Sequence, residues 1–306
     1  MKLLVTGAHG LLGRALLQAD WGADVKRVGC GRHADPVGDV SCHAVDLTDA
    51  DAVVELWRQL RPDRVIHTAA LTDVDLCETE PELARRVNRD VVAHVVAASA
   101  EVGAGVAHLS TDYVFDGQGG PYSEQDSPRP LSVYGRMKLE SEALVLDAGV
   151  EGLVVRTLWL YGHLRSVRPN LVTWPLEALA RGESMRIVAD QWGNPTYVHD
   201  LARALVELSR RGVAGLFHMG GSTFLTREEL VRHVAGHFHL DTSHVEVITT
   251  ARAGQAAPRP LRSGLRTDAI EAELGWTPAS LSEGLERMAA DTVFRQDFAH
   301  LVDPEP

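Results

Sequence analysis

Of the 30 lysines and arginines in this 306-residue chain only three are lysines, and one of them, Lys138, follows Tyr134 by four residues. Four residues is about one helical turn, so the two side chains share a helix face. A phenol beside an ammonium can serve as an acid or a base, because the cation favours phenolate and draws the Tyr pKa down from about 10. Arginine would put a planar fork where a compact point charge is needed. Taken alone, the spacing could also be coincidence.

The elements that must carry such a pair begin at the first residue. Residues 1–6 read as a buried strand, Gly7-Ala-His-Gly10-Leu-Leu-Gly13 as a glycine-rich turn, and Arg14 onward as a helix. In that setting such glycines bind a dinucleotide. Gly7 makes the tight turn, Gly10 lets backbone N–H groups near a pyrophosphate, and Gly13 allows close helix–strand packing. His9, Leu11 and Leu12 of the same turn are expected beside the cofactor. Further strands are read at 25–29, 43–46, 64–67, 105–109, 152–156 and 215–220, and helices at 49–60, 82–101 and 131–147. This alternation implies an α/β fold: a doubly wound parallel sheet of NAD(P)-binding Rossmann type, joined to a smaller C-terminal substrate domain. Ligands then lie beyond the carboxyl ends of the strands, where Gly7, Asp46, Ala69, Ser110 and Thr157 fall.

Strand two ends in Gly29-Cys-Gly-Arg32, with no acid before Asp35. An arginine there suits a ribose 2′-phosphate, so NADP(H) is expected, with NAD(H) as the weaker choice; the plainer account of Arg32 is a solvated loop charge. Asp46 could accept from the adenine amino group, and Leu47 is assigned to the same site.

A net charge of −12 argues against nucleic acid as a partner. No apolar run is long enough to span a membrane. Cys30, Cys42 and Cys77 are odd in number and lack metal-ligand spacing, which reads as reduced thiols in a cytoplasmic protein. A strand beginning at Met1 leaves no room for a signal peptide. His233 and His237 are one turn apart, with His239 and His244 beyond, but no acid or Cys completes a metal shell, so none is expected. A homodimer is the default assembly.

Ser110-Thr-Asp-Tyr-Val-Phe-Asp-Gly117, Pro121-Tyr-Ser-Glu124 and Tyr134-Gly-Arg-Met-Lys138 resemble the extended short-chain dehydrogenase/reductases, and within them the dTDP-4-dehydrorhamnose reductases. Arg156-Thr-Leu-Trp-Leu-Tyr-Gly162, Asp190-Gln-Trp-Gly-Asn-Pro-Thr196 and Arg259-Pro-Leu-Arg-Ser-Gly-Leu265 extend the likeness over nearly the whole chain. The resemblance implies a triad of Thr111, Tyr134 and Lys138. It also implies sugar contacts from Asp112, Tyr113 and Trp159, a diphosphate contact from Arg259, and Ala69, Ala70, Asn88 and Ser110 near the cofactor. The plainer account of Trp159, as of Tyr113, is core packing. The implied reaction is NADPH-dependent reduction of a nucleotide-activated 4-keto-6-deoxysugar. Tyr134 would be the general acid, Thr111 would polarise the carbonyl, and Lys138 would hold the nicotinamide ribose and tune Tyr134.

The likeness has gaps. Leu11 stands where many of these reductases carry Gln, and Thr72 to Glu78 matches only in part. Gly29-Cys-Gly31, Leu216-Phe-His218 and Thr242-Ser-His244 also resemble the regulatory β subunit of methionine adenosyltransferase, which implies a non-catalytic NADP-binding subunit as an alternative. Sugar-nucleotide epimerases and dehydratases share the Tyr/Lys pair and form a third reading. The dinucleotide domain is expected at 1–160 plus 187–220 and the substrate domain at 161–186 plus 221–306. Arg165, Arg168, Arg259 and Arg262 are candidates for the diphosphate. Thr226-Arg-Glu-Glu229 reads as a capping box, 251–260 as a loop and 302–306 as a frayed tail.

Overall fold

The computed structural model describes residues 1–302; the expected tail at 302–306 falls outside them apart from the backbone of Val302. A seven-stranded parallel sheet forms the centre. Its strands are β1 (Lys2–Thr6), β2 (Lys26–Gly31), β3 (Cys42–Ala44), β4 (Arg64–His67), β5 (Gly105–Thr111), β6 (Gly152–Thr157) and β7 (Gly215–Met219). The order is β7-β6-β5-β4-β1-β2-β3. The chain runs outward from β1 in one direction and then returns to build the other half, so the order reverses between β1 and β4. That reversal opens the crevice where a doubly wound sheet takes its ligand.

Both faces of the sheet are covered, which is why its strands read as near-continuous apolar runs. Helices α1 (Leu11–Gln18) and α5 (Val198–Arg210) pack on one face, through Leu16, Leu17, Leu201 and Leu205. Helices α2 (Ala50–Leu60), α3 (Val91–Val102) and α4 (Val133–Leu146) cover the other, through Val53, Trp57, Val95 and Val145. Asp49 caps α2, accepting from the N–H groups of Asp51 and Ala52.

A second core gathers Tyr161, Leu176, Ile187, Leu230, Leu281, Leu285 and Phe294 from late segments of the chain. Helix α6 (Arg227–His237) enters it behind the capping box between Thr226 and Glu229. The late segments are not all in this core: Ile270 and Leu274 pack into the first core, under β7.

Two segments depart from the sequence reading. The single helix expected over 82–101 is broken into Pro81–Arg85, a π turn at Arg86–Asp90, and α3. The wider turn directs Asn88 inward, where it is 1% exposed. The loop expected at 251–260 begins inside a short helix, Thr250–Ala253, which ends at Gly254 with φ +68°.

Candidate active site

The glycine turn joins β1 to α1 through close backbone contacts. Gly7 has φ +67°, and a Cβ there would sit 2.8 Å from the Ala69 nitrogen. A Cβ on Gly13 would lie 2.2 Å from the Gly7 carbonyl oxygen. Gly10 is different: its nearest neighbour to an added Cβ is 3.4 Å away. The fold itself makes little demand for glycine at that position, at the N-cap of α1, where no side chain caps the helix. Open N–H groups and a missing side chain fit a pyrophosphate. Leu12 is buried, Leu11 partly so, both at the start of α1.

The other cofactor candidates divide into two groups. Arg32 is exposed directly after β2, Asp46 is exposed after β3 with one carboxylate oxygen accepting from the N–H and hydroxyl of Thr48, and Ala69 and Ala70 follow β4, so all line the carboxyl edge of the sheet. His9, Leu47, Asn88 and Ser110 have structural partners. His9 Nε2 contacts the Asp35 carbonyl at 2.8 Å and ties the glycine turn to the loop after β2. The Leu47 carbonyl faces His94 Nδ1 at 3.0 Å. Asn88 clamps Leu71, accepting from its N–H at 2.8 Å and donating to its carbonyl at 2.9 Å, so it shapes the loop that carries Ala69 and Ala70. Ser110 donates to Glu142 Oε1 at 2.5 Å.

Thr111, Tyr134 and Lys138 come together at the carboxyl end of β5. Ser132 caps α4 by accepting from the Gly135 N–H, and Glu78 accepts from the Val133 N–H. A Cβ on Gly135 would lie 2.2 Å from the Tyr113 carbonyl oxygen, so glycine lets α4 press against the turn after β5. Tyr134 is 8% exposed and Lys138 3%. Burial, followed by the charge of Asp112, pushes the Tyr134 phenol up, while a hydrogen bond with Thr111 pulls the other way. Burial therefore outweighs the lowering expected from a neighbouring lysine, and the net direction is upward. Lys138 Nζ sits 3.0 Å from His108 Nε2, and its own pKa is lowered to about 7 by burial, opposed by Glu142.

Behind Lys138 lies a buried polar layer. His108 contacts Ser141 Oγ at 2.9 Å and stacks on His67 with ring centroids 5.5 Å apart. His67 Nδ1 meets Thr6 Oγ1 at 2.8 Å. One turn along α4, Glu142 accepts from both Nε and Nη2 of Arg156, at 2.8 and 2.7 Å.

In front of Tyr134, Tyr113 meets it edge-on with centroids 5.6 Å apart. Arg259 lies over the Tyr113 ring at 6.0 Å and pairs with Asp75 at 2.9 Å. Asp112 is 2% exposed, and burial raises its pKa to about 6 against hydrogen bonds from Ser263 and Thr111 and the charge of Arg227. Trp159 has φ +44° and is half-buried, its ring under the Arg227 guanidinium at 4.9 Å. Of the other arginines considered for a diphosphate, Arg262 is held between Trp192 and Phe224 and donates to the Gly120 carbonyl. Arg165 pairs with Asp297, and Arg168 donates to Thr72. Of these four arginines, Arg259 is the one set over Tyr113, the ring that meets Tyr134.

Sequence reasoning missed His108, His67, Glu142 and Arg227. Arg227 stood inside the recognised capping box, yet nothing in that motif says its side chain turns back over Trp159. His233, of the histidine group considered for a metal, contacts Ser282 Oγ at 2.8 Å.

Fold and site together define an oxidoreductase of the Rossmann type. The chain belongs to the RmlD substrate binding domain family, whose model matches residues 1–294. It is 34% identical over 294 residues to a probable low-salt glycan biosynthesis reductase, Agl14, of Haloferax volcanii, covering 95% of this chain and 98% of that one. It is 32% identical to methionine adenosyltransferase 2 subunit beta of Mus musculus, covering 98% and 91%. Among solved structures, the dTDP-4-dehydrorhamnose reductase of Bacillus anthracis in complex with NADP superposes with a TM-score of 0.84 at 30% identity, covering 94% and 98%.

Proposed function

We propose that this NADP-dependent oxidoreductase reduces the 4-keto group of a nucleotide-activated 6-deoxyhexose, dTDP-4-dehydrorhamnose to dTDP-rhamnose. The observation that carries the reading is the buried Tyr134 edge-on to Tyr113 of the turn that follows Thr111, with Lys138 one turn along the same helix. Gly7, Gly10 and Gly13 would hold the pyrophosphate of NADPH, and Arg32 its 2′-phosphate. Bound NADPH supplies the hydride. Tyr134 then gives its proton to the carbonyl oxygen as that oxygen gains charge, and the Thr111 hydroxyl hydrogen-bonds the same oxygen. Burial keeps Tyr134 protonated, which suits a donor in the reductive direction. Tyr113 and Trp159 would flank the sugar, and Arg259 would meet the diphosphate.

The test is absorbance of reduced nicotinamide after mixing protein, NADPH and enzymatically generated dTDP-4-dehydrorhamnose, with NADH in parallel. Stoichiometric NADPH loss with a deoxysugar product is expected. The likeness to a methionine adenosyltransferase subunit favours a second reading, a regulatory NADP-binding subunit. That reading gains if NADPH binds but no keto-sugar is reduced.

A further inference from the structure

His108 makes two contacts through one nitrogen, and they cannot be satisfied together in every protonation state. Its Nε2 lies 3.0 Å from Lys138 Nζ and 2.9 Å from Ser141 Oγ, while Ser141 Oγ already donates to the Lys138 carbonyl at 2.7 Å. Its Nδ1 is buried with no partner. In the neutral ring one nitrogen carries the proton and the other a lone pair. If Nδ1 carries it, a buried N–H donor is orphaned, and the Ser141 oxygen faces the Nε2 lone pair with no hydrogen between them. If Nε2 carries it, the proton points at Ser141 Oγ and Lys138 Nζ, and only an acceptor lone pair at Nδ1 goes unmet, the milder of the two defects. The Nε2–H form requires that Nζ not present a hydrogen in return. An ammonium offers only donors; a neutral amine has a lone pair.

We propose that His108 is a positioning residue for Lys138: its Nε2–H holds the lysine as a neutral amine against β5 in the cofactor-free protein, so that NADPH binding draws in one proton. The idea rests on the catalytic assignment of Lys138 above, since a lysine that holds ribose hydroxyls and supports Tyr134 works as the ammonium.

The surroundings agree. Burial, opposed by Glu142, lowers the Lys138 pKa to about 7, and burial lowers that of His108 as well, so neither group carries a charge easily. From β4, His67 stacks on His108 and brings no carboxylate. On α4, Glu142 favours a charged lysine, but both its oxygens are engaged by Arg156 of β6 and Ser110. Asp112 from the turn after β5, with Cys77 from the Val74–Thr79 helix, acts on Tyr134. Glu78 of the same helix bonds the Val133 N–H. Arg89, from the π turn, pairs with Asp90 and Glu140.

The test is calorimetric titration of the full chain with NADPH in two buffers of different ionisation heat, which counts protons taken up. With a free pKa of about 7, uptake at pH 8 should be about 0.9 proton per site and should fall steeply towards pH 6. In His108→Gln the carboxamide oxygen can accept from the ammonium, so uptake at pH 8 should drop by more than half, with NADPH affinity at pH 6 near wild type. A ¹⁵N spectrum of histidine-labelled wild-type protein reads the tautomer directly and needs no variant to fold; Nε2–H is expected. Tight NADPH binding without proton uptake at pH 8, an Nδ1–H tautomer, or equal uptake in His108→Gln would each overturn the proposal. Absence of NADPH binding at every pH would instead bring down the functional reading, and this inference with it.

Discussion

Two buried basic side chains meet α4 one turn apart, Lys138 from the helix itself and Arg156 of β6 through Glu142, and they are treated in opposite ways. Arg156, 2% exposed, meets Glu142 through two hydrogen bonds, and Ser110 completes the carboxylate. Lys138, 3% exposed, meets no carboxylate directly and shares its one nitrogen partner with a serine. A buried ion pair with its hydrogen bonds met holds one arrangement. A buried lysine with a neutral partner keeps two protonation states within reach of ordinary pH, as an acid–base site requires. The same helix therefore carries one half of a structural pair and a chemical group, separated by how completely each is satisfied.

The largest expected effect tests the chemical side. Tyr134→Phe should cut turnover by about 10²–10⁴-fold, the usual worth of a positioned general acid, while NADPH affinity and the unfolding midpoint stay close to wild type. Normal turnover in that variant would remove the general acid from the site.

Glu142→Ala tests the structural side. It strands Arg156 as an unpaired buried charge and should cost about 3–5 kcal/mol in urea unfolding. A loss below about 1 kcal/mol would mean that water reaches Arg156, and the contrast between the two cations would fail.

Asp112 sharpens the comparison, because it is a buried acid on the chemical side with incomplete compensation. Its folded pKa of about 6 lies above the ordinary 3.8, so the folded state binds the proton more tightly than the unfolded one. Its stabilising contribution is present below about pH 4 and is lost as pH rises through 6. Relative to wild type, Asp112→Asn should therefore gain about 2 kcal/mol between pH 4 and pH 7. Unfolding curves at the two pH values check this, and a pH-independent difference would place Asp112 among the satisfied groups.

The smallest effect concerns an exposed residue. Arg32→Ala should weaken NADPH relative to NADH by roughly tenfold, the worth of one charge-assisted contact. Equal loss for both cofactors would return Arg32 to a solvated loop.

The α/β order, the glycine turn and the Tyr–Lys pair were legible because each is local. Strand and helix periods, turn glycines and a four-residue spacing depend on neighbours in the chain. The strand at Arg64–His67 was read to the residue, and the capping box at Thr226 was recognised by its pattern. The misreadings arose where distant segments intervene. The helix at 82–101 is interrupted because Asn88 turns inward to bond Leu71, 17 residues earlier. Long-range partners were equally out of reach of pattern: Leu71 for Asn88, Glu142 for Ser110, and two aromatic rings for Arg262.

By itself the sequence determined the fold class and which residue types could do chemistry. Tertiary structure alone decided their electrical state. Desolvation depends on everything packed around a group: it raises Tyr134 where the adjacent lysine alone would have lowered it, and it sets Lys138 against a histidine thirty residues away in the chain.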